Sequence, residues 1–176
     1  SQPQRLGDLK DKYCSTVMFD ETYAQRDGTI RRDTQFPADA EQWVLSGPHF
    51  FVGTPLYKTP RTHCTEKNHY DCIDLANVPD DYLPRTNYVP NCPPAEYAGR
   101  SPKVPWNEPG ESEPRRVTNY YRVIASRALS QSGERTLQGS LMARKAAHID
   151  GIFSTALRSL NVTLALAASW SSVPMD

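Results

Sequence analysis

The chain has 176 residues, of which 38% are hydrophobic and 15 are proline, with a formal net charge of zero. Those figures exclude a tight helical bundle and favour one loop-rich domain with a modest core. No apolar run reaches the roughly 20 residues of a membrane span, since the longest, Leu160 to Trp170, carries Asn161, Thr163 and Ser169.

The zero net charge averages two unlike parts. Residues 1–114 hold 12 Lys and Arg against 17 Asp and Glu, and residues 115–176 hold 8 against 3. An acidic, loop-rich part therefore precedes a basic one, and seven of the eight cations in the basic part are arginine. Such asymmetry fits an anionic partner, or two parts that neutralise each other. Four cysteines without a signal peptide or dense spacing read as free thiols in a cytoplasmic protein. The absence of an initiator methionine suggests a fragment of a larger protein.

In chain order, Tyr13 to Tyr23 mixes β-branched and aromatic residues and reads as a short strand or a helix start. Asp27-Gly28 is a turn, and Thr29 to Arg32 is a strand that Phe36-Pro37 breaks. Residues 39–45 fit a helix capped at Asp39 and stopped by Ser46-Gly47-Pro48. His49 to Val52 reads as a short strand, residues 53–60 as an ordered extended loop, and Tyr70 to Leu75 as a half-buried strand. Nine prolines in residues 78–114 argue against helix and central strand, leaving an extended loop pinned by aromatics such as Tyr82, Tyr88, Tyr97 and Trp106. Val117 to Leu129 reads as a strand and then a helix or turn, with Arg122 and Arg127 off the apolar face. Ser132-Gly133 turns the chain, and residues 135–142 form the partner strand. Ala156 to Ala168 is the clearest helix. The fold class is α+β: a mixed, mainly antiparallel sheet with flanking helices and a long proline-rich loop.

Few chemical motifs survive scrutiny. His63, Cys64, His69 and Cys72 offer metal-ligand types, but adjacent His63 and Cys64 diverge on an extended backbone. Asn91-Cys92-Pro93-Pro94 is only superficially similar to the Asn-Pro-Pro-Tyr loop of amino-methyltransferases, and no glycine-rich cofactor loop accompanies it. Asp71, Asp74, Asp80 and Asp81 lack the trailing lysine of a nuclease site. His148-Ile149-Asp150 has no nucleophile beside it. No catalytic or metal residue is assigned. What remains is arginine, which grips phosphate bidentately and reads guanine. Arg115, Arg116, Arg122, Arg127, Arg135, Arg144 and Lys145 are the candidate DNA contacts, with Lys58, Arg61 and Arg85 adding contacts from the loop face. Glu134 offers Arg135 a salt bridge instead.

Several stretches carry a resemblance: Ser46 to Tyr57, Asp81 to Arg85, Tyr120-Tyr121-Arg122, Glu134-Arg135-Thr136-Leu137, His148-Ile149-Asp150 and Ala165 to Ser172. Together they resemble the target-recognition (specificity) region of restriction–modification N6-adenine DNA methyltransferases, including the TaqI-type C-terminal specificity domain. The likeness implies that catalysis and S-adenosylmethionine belong to an N-terminal methyltransferase domain outside these residues. This chain would then bind double-stranded DNA and choose the target. Where the family often has Pro-Pro or Pro-Gly after its Thr-Leu strand, this chain has Ala143-Arg144-Lys145-Ala146. The rival readings are a protein-interaction domain docking through its tyrosines and prolines, and a metal-dependent nuclease using the Asp71–Asp81 acids.

Overall fold

The computed structural model describes residues 6–9, 11–50, 53–128 and 138–172. Among them the fold is α+β, with three α-helices and ten strands that pair mostly antiparallel. The strands are β1 (Tyr13–Thr16), β2 (Ile30–Gln35), β3 (Val44–Leu45), β4 (Lys58–Pro60), β5 (Tyr70–Cys72), β6 (Thr86–Pro90), β7 (Arg122–Ser126), β8 (Gly139–Met142), β9 (Ala147–His148) and β10 (Ile152–Leu157). The helices are α1 (Glu21–Arg26), α2 (Pro94–Arg100) and α3 (Leu160–Trp170).

The main sheet has the order β1-β10-β7-β8 and is antiparallel throughout. Its first strand comes from the acidic part and the rest from the basic part, so the two charge classes are interleaved. A second cross-connection is the parallel pairing of β3 with β9, which sets Val44 against Ala147 and Leu45 against His148. Period-two alternation makes this pair a wall between two cores. Val44 and Ala147 face one with Phe19, Ile30 and Tyr88, while Leu45 faces another with Trp43, Ile124, Met142 and Ile152. A third cluster holds Val104, Trp106, Val117 and Ala156.

Local chemistry explains the short elements. The Asp20 carboxylate accepts from the Thr22 and Tyr23 amides and starts α1, and Gly28 turns at φ 76° before β2. Asp39 does cap, accepting from the Glu41 and Gln42 amides. However, the helix expected over 39–45 is a single turn, because Trp43, Val44 and Leu45 are pulled extended into the core. The strand expected at His49 is instead the end of a 3-10 turn, Gly47–His49. There the buried imidazole reaches back: its Nδ1 accepts from the Ser46 amide at 3.1 Å, and its Nε2 donates to the Arg85 carbonyl at 2.7 Å. Phe51 and Val52 lie outside the described residues.

The proline-rich stretch corrects the expectation most. It contains β6, paired with β2, and α2, which opens at Pro94. Proline closes the strand at Pro90 and occupies the first turn of the helix, where its missing N–H costs nothing. Residues 78–85, 91–93 and 101–114 remain loop, and Trp106 anchors the last of these. The expected hairpin of residues 117–142 exists as β7 paired with β8, its connection lying outside the described residues. The C-terminal helix starts at Leu160 rather than Ala156, because Ile152 to Leu157 complete the main sheet as β10. Among the described residues no helix is long and apolar enough to cross a membrane.

Candidate nucleic-acid interface

The described candidate residues split into buried, neutralised and available groups. Arg122 is the clearest correction. It was expected outside the apolar face, yet it is 0% exposed, as are its strand neighbours Val123 and Ile124. β7 is an inner strand covered on both faces, so alternation does not place its side chains outward. The Arg122 guanidinium donates to the Ala146 carbonyl and reaches Met18 Sδ at 3.2 Å. It pairs with no carboxylate among the described residues, and its Nε has no partner. Burial lowers its pKa to about 10, which leaves it charged at neutral pH. The neighbouring His148, also buried, donates from Nδ1 to the Ile149 carbonyl and accepts from Ser154 at 2.8 Å. Burial first, and the Arg122 charge second, push its pKa down to about 3. Arg122 is a core residue with no surface to offer a partner.

The neutralised group is spread over the surface. Arg115 grips Glu111 with Nε at 2.9 and 2.8 Å from the two carboxylate oxygens. That guanidinium holds the Glu111 carboxyl below its usual range. Arg61 pairs with Asp71 at 2.8 Å. Arg127 lies 3.6 Å from Asp150. Arg85 has no carboxylate partner among the described residues, but it lies apart on the loop side, stacked 4.4 Å from the Phe36 ring centre and directed at the Pro60 carbonyl. Lys58 lines a broad groove of about 1010 Å³ in which Arg32 and Lys67 are matched by Glu21, Glu66 and Asp150. Arg135, with Glu134, lies outside the described residues.

The available group is compact. Arg116 precedes the 3-10 turn Val117–Asn119, whose Val117 and Thr118 are buried and fix its backbone. The Thr118 carbonyl accepts from the Lys145 amide at 2.7 Å, which draws the turn after β8 against this segment. Lys145 adopts φ 76°, a left-handed backbone that non-glycine residues rarely take. The turn presents Arg144 over exposed Tyr121, its guanidinium carbon 4.9 Å from the ring centre. Neither Arg116 nor Arg144 forms an ion pair among the described residues, and Lys145 approaches only Glu41, at 4.0 Å. Arg116, Arg144 and Lys145 thus form one ridge, from elements about 28 residues apart in the chain.

The ridge overlooks a cleft of about 400 Å³ walled by β6, the start of α2 and the turn at residues 39–42. Tyr97 from α2 lines it, 7% exposed, its ring 5.5 Å from Phe19. The sequence treated Tyr97 only as an anchor for a loop. Nothing in its neighbours signalled a site, because the strand and helix that build the cleft lay in the segment read as irregular.

No family model, curated protein or solved structure matches the chain. Geometry and the motif likeness therefore carry the functional argument. Among the described residues no group of three His, Cys, Asp or Glu side chains is placed to hold a metal ion.

Proposed function

We propose that this chain binds double-stranded DNA, as the target-recognition region of an N6-adenine DNA methyltransferase or a combined restriction–modification enzyme. The single observation that carries the reading is the ridge. Two guanidiniums and an ammonium, from two separate segments, lie along it with little carboxylate neutralisation among the described residues. A backbone hydrogen bond and an unusual lysine conformation maintain the arrangement. Among the described residues Glu41, 4.0 Å from Lys145, is the one carboxylate beside them, so the ridge keeps positive charge for an anionic partner. Arginine stacked on tyrosine is pre-ordered to meet phosphate bidentately while the ring offers a face to sugar or base. In this reading S-adenosylmethionine and the catalytic residues belong to a methyltransferase domain outside these residues, and the chain supplies grip and choice of site.

The test is fluorescence anisotropy of labelled duplex DNA against salt. Binding that weakens along a log–log slope of roughly −0.9 per phosphate contacted is the expected result. Arg116→Ala and Arg144→Ala should each flatten that slope by about one contact. Affinity indifferent to salt would defeat the proposal.

A protein-docking reading has one observation of its own. Helix α3 leaves Leu160, Val162 and Leu164 each 46% exposed or more. An affinity that persists at high salt would favour it.

A further inference from the structure

Beside the ridge stands a polar side chain of a different kind. Asn119 closes the 3-10 turn Val117–Asn119, its backbone N–H donating to the Arg116 carbonyl at 3.0 Å. Val117 and Thr118 are buried, and the Thr118 carbonyl holds the Lys145 amide, so the backbone under Asn119 is fixed. The Asn119 carboxamide is exposed and makes no hydrogen bond among the described residues. Asn77, Asn87 and Asn107, by contrast, spend theirs on Asp74, Thr34 and the Ser112 carbonyl.

Its neighbours set the direction in which it faces. Tyr120 is turned into the body of the protein, where its hydroxyl donates to Glu108 at 2.6 Å and accepts from the Trp106 indole at 3.1 Å. The Tyr120 backbone is extended, with φ −112° and ψ 151°. Asn119 and Tyr121, on either side of it, therefore project to the opposite face. Tyr121 is exposed there beneath the Arg144 guanidinium. Asn119 thus lies between Arg116 and the Arg144–Tyr121 stack, a neutral group flanked by cations.

That neutrality decides what it can do. Phosphate oxygens only accept, and the flanking cations suit them better. A carboxamide donates and accepts at once. The major-groove edge of adenine sets an acceptor, N7, beside a donor, the N6 amino group, and a carboxamide pairs with both. Extended chain advances about 3.3 Å per residue, close to the roughly 3.4 Å between stacked bases. The Asn119 and Tyr121 positions, two residues apart, therefore match about two base-pair steps.

We propose that Asn119 is a specificity-determining residue: its Nδ2 donates to N7 and its Oδ1 accepts from N6 of one adenine in the major groove, while Arg116 and Arg144 hold the flanking phosphates. This rests on the duplex-binding reading above and adds to it the side chain that chooses and the base it prefers.

The experiment selects from a duplex pool with a randomised centre, using the whole chain, and sequences the bound fraction. The wild-type chain should enrich a motif with an A·T pair that Asn119→Ala no longer requires, discrimination at that pair falling about ten- to a hundredfold. Anisotropy on the selected duplex should give both proteins the same salt slope, because a neutral side chain displaces no counterions. Arg116→Ala should do the reverse, flattening the slope and leaving the preferred base unchanged. Asn119→Arg should move the preference at that position from adenine to guanine. No structural role of Asn119 explains such a change, which makes it a second test should the alanine variant fold poorly. A motif that Asn119→Ala enriches unchanged overturns the inference and leaves duplex binding standing. So does salt-dependent binding with no enriched motif, and relaxation at a G·C pair overturns the choice of adenine. Binding absent even at low salt overturns the duplex reading and this inference with it.

Discussion

Gly139 lies flat against Trp170: a methyl group on the glycine would come within 2.9 Å of the tryptophan Cβ and 3.1 Å of its Cε3. This contact seats α3 on β8, and the stacking of Trp170 edge-on to Phe153 at 5.8 Å continues it onto β10. Gly139→Ala is expected to destabilise the fold by about 1–3 kcal/mol, the usual cost of overpacking. Chemical denaturation measures it. In a Trp170→Ala background the ring contacts are gone but the Cβ contact remains, so the same substitution should cost less without becoming free.

Lys145 combines a strained backbone with a place on the ridge. The left-handed conformation costs an L-residue about 1–2 kcal/mol, and glycine adopts it freely. Lys145→Gly is therefore expected to raise stability by about 1 kcal/mol while flattening the salt dependence of duplex binding by about one contact. Lys145→Ala should lose the contact without the gain. Denaturation and anisotropy on the two variants together would separate grip from strain, and a Lys145→Gly protein that binds undiminished would remove this lysine from the interface.

Arg122 is expected to behave as a core residue. Arg122→Met keeps volume and removes a buried charge, but leaves the Ala146 carbonyl short of a donor, a cost of about 1–3 kcal/mol. The two effects offset, so stability should change by less than about 1.5 kcal/mol. Arg122→Ala opens a cavity instead and should cost about 3–5 kcal/mol. Neither should alter the salt slope of duplex binding, in contrast to Arg144→Ala.

Acid sensitivity should come from two histidines. Burial lowers the pKa of His49 from 6.5 to about 4 and that of His148 from 6.5 to about 3. The unfolded chain thus binds protons that the native state refuses. The stability gained from keeping both rings neutral is complete above 6.5 and drains away as pH falls towards those values. Asp27, Asp74, Glu108 and Glu111 have lowered pKa values. Their contributions are lost only as pH falls below the ordinary carboxyl range, so they leave the window above about pH 5 to the histidines. Near pH 5 the slope should approach two protons, about 2.7 kcal/mol per pH unit. His49→Gln or His148→Gln should each reduce it to one, as denaturation at a series of pH values would reveal.

Periodicity and turn chemistry made part of this architecture readable. Asp27-Gly28 turns, β7 pairs with β8, and the Ala- and Leu-rich stretch near the C-terminus is helical, all for local reasons. What escaped depended on distant partners. Val44 and Leu45 are extended because β9 lies beside them, more than 100 residues along, which overrode a capped helical pattern. Proline density concealed β6 and α2, although prolines sit only where strand end and helix start accept them. Arg122 was placed outside because an arginine in an amphipathic strand belongs there, whereas β7 has no solvent face. At the site, Arg116, Arg144 and Lys145 were named from composition alone. That they share a ridge follows from the Lys145–Thr118 hydrogen bond, which no local pattern encodes.

The first strand of the main sheet is hydrogen-bonded to its last, with Tyr13 facing Leu157 and Thr16 facing Ser154. Chain entering at Tyr13 and chain leaving at Leu157 are therefore separated by one strand spacing, about 5 Å. Everything between those two points is thus closed by a single ladder, and α3, which lies beyond them and is bolted back onto the sheet by Trp170, has to travel with it.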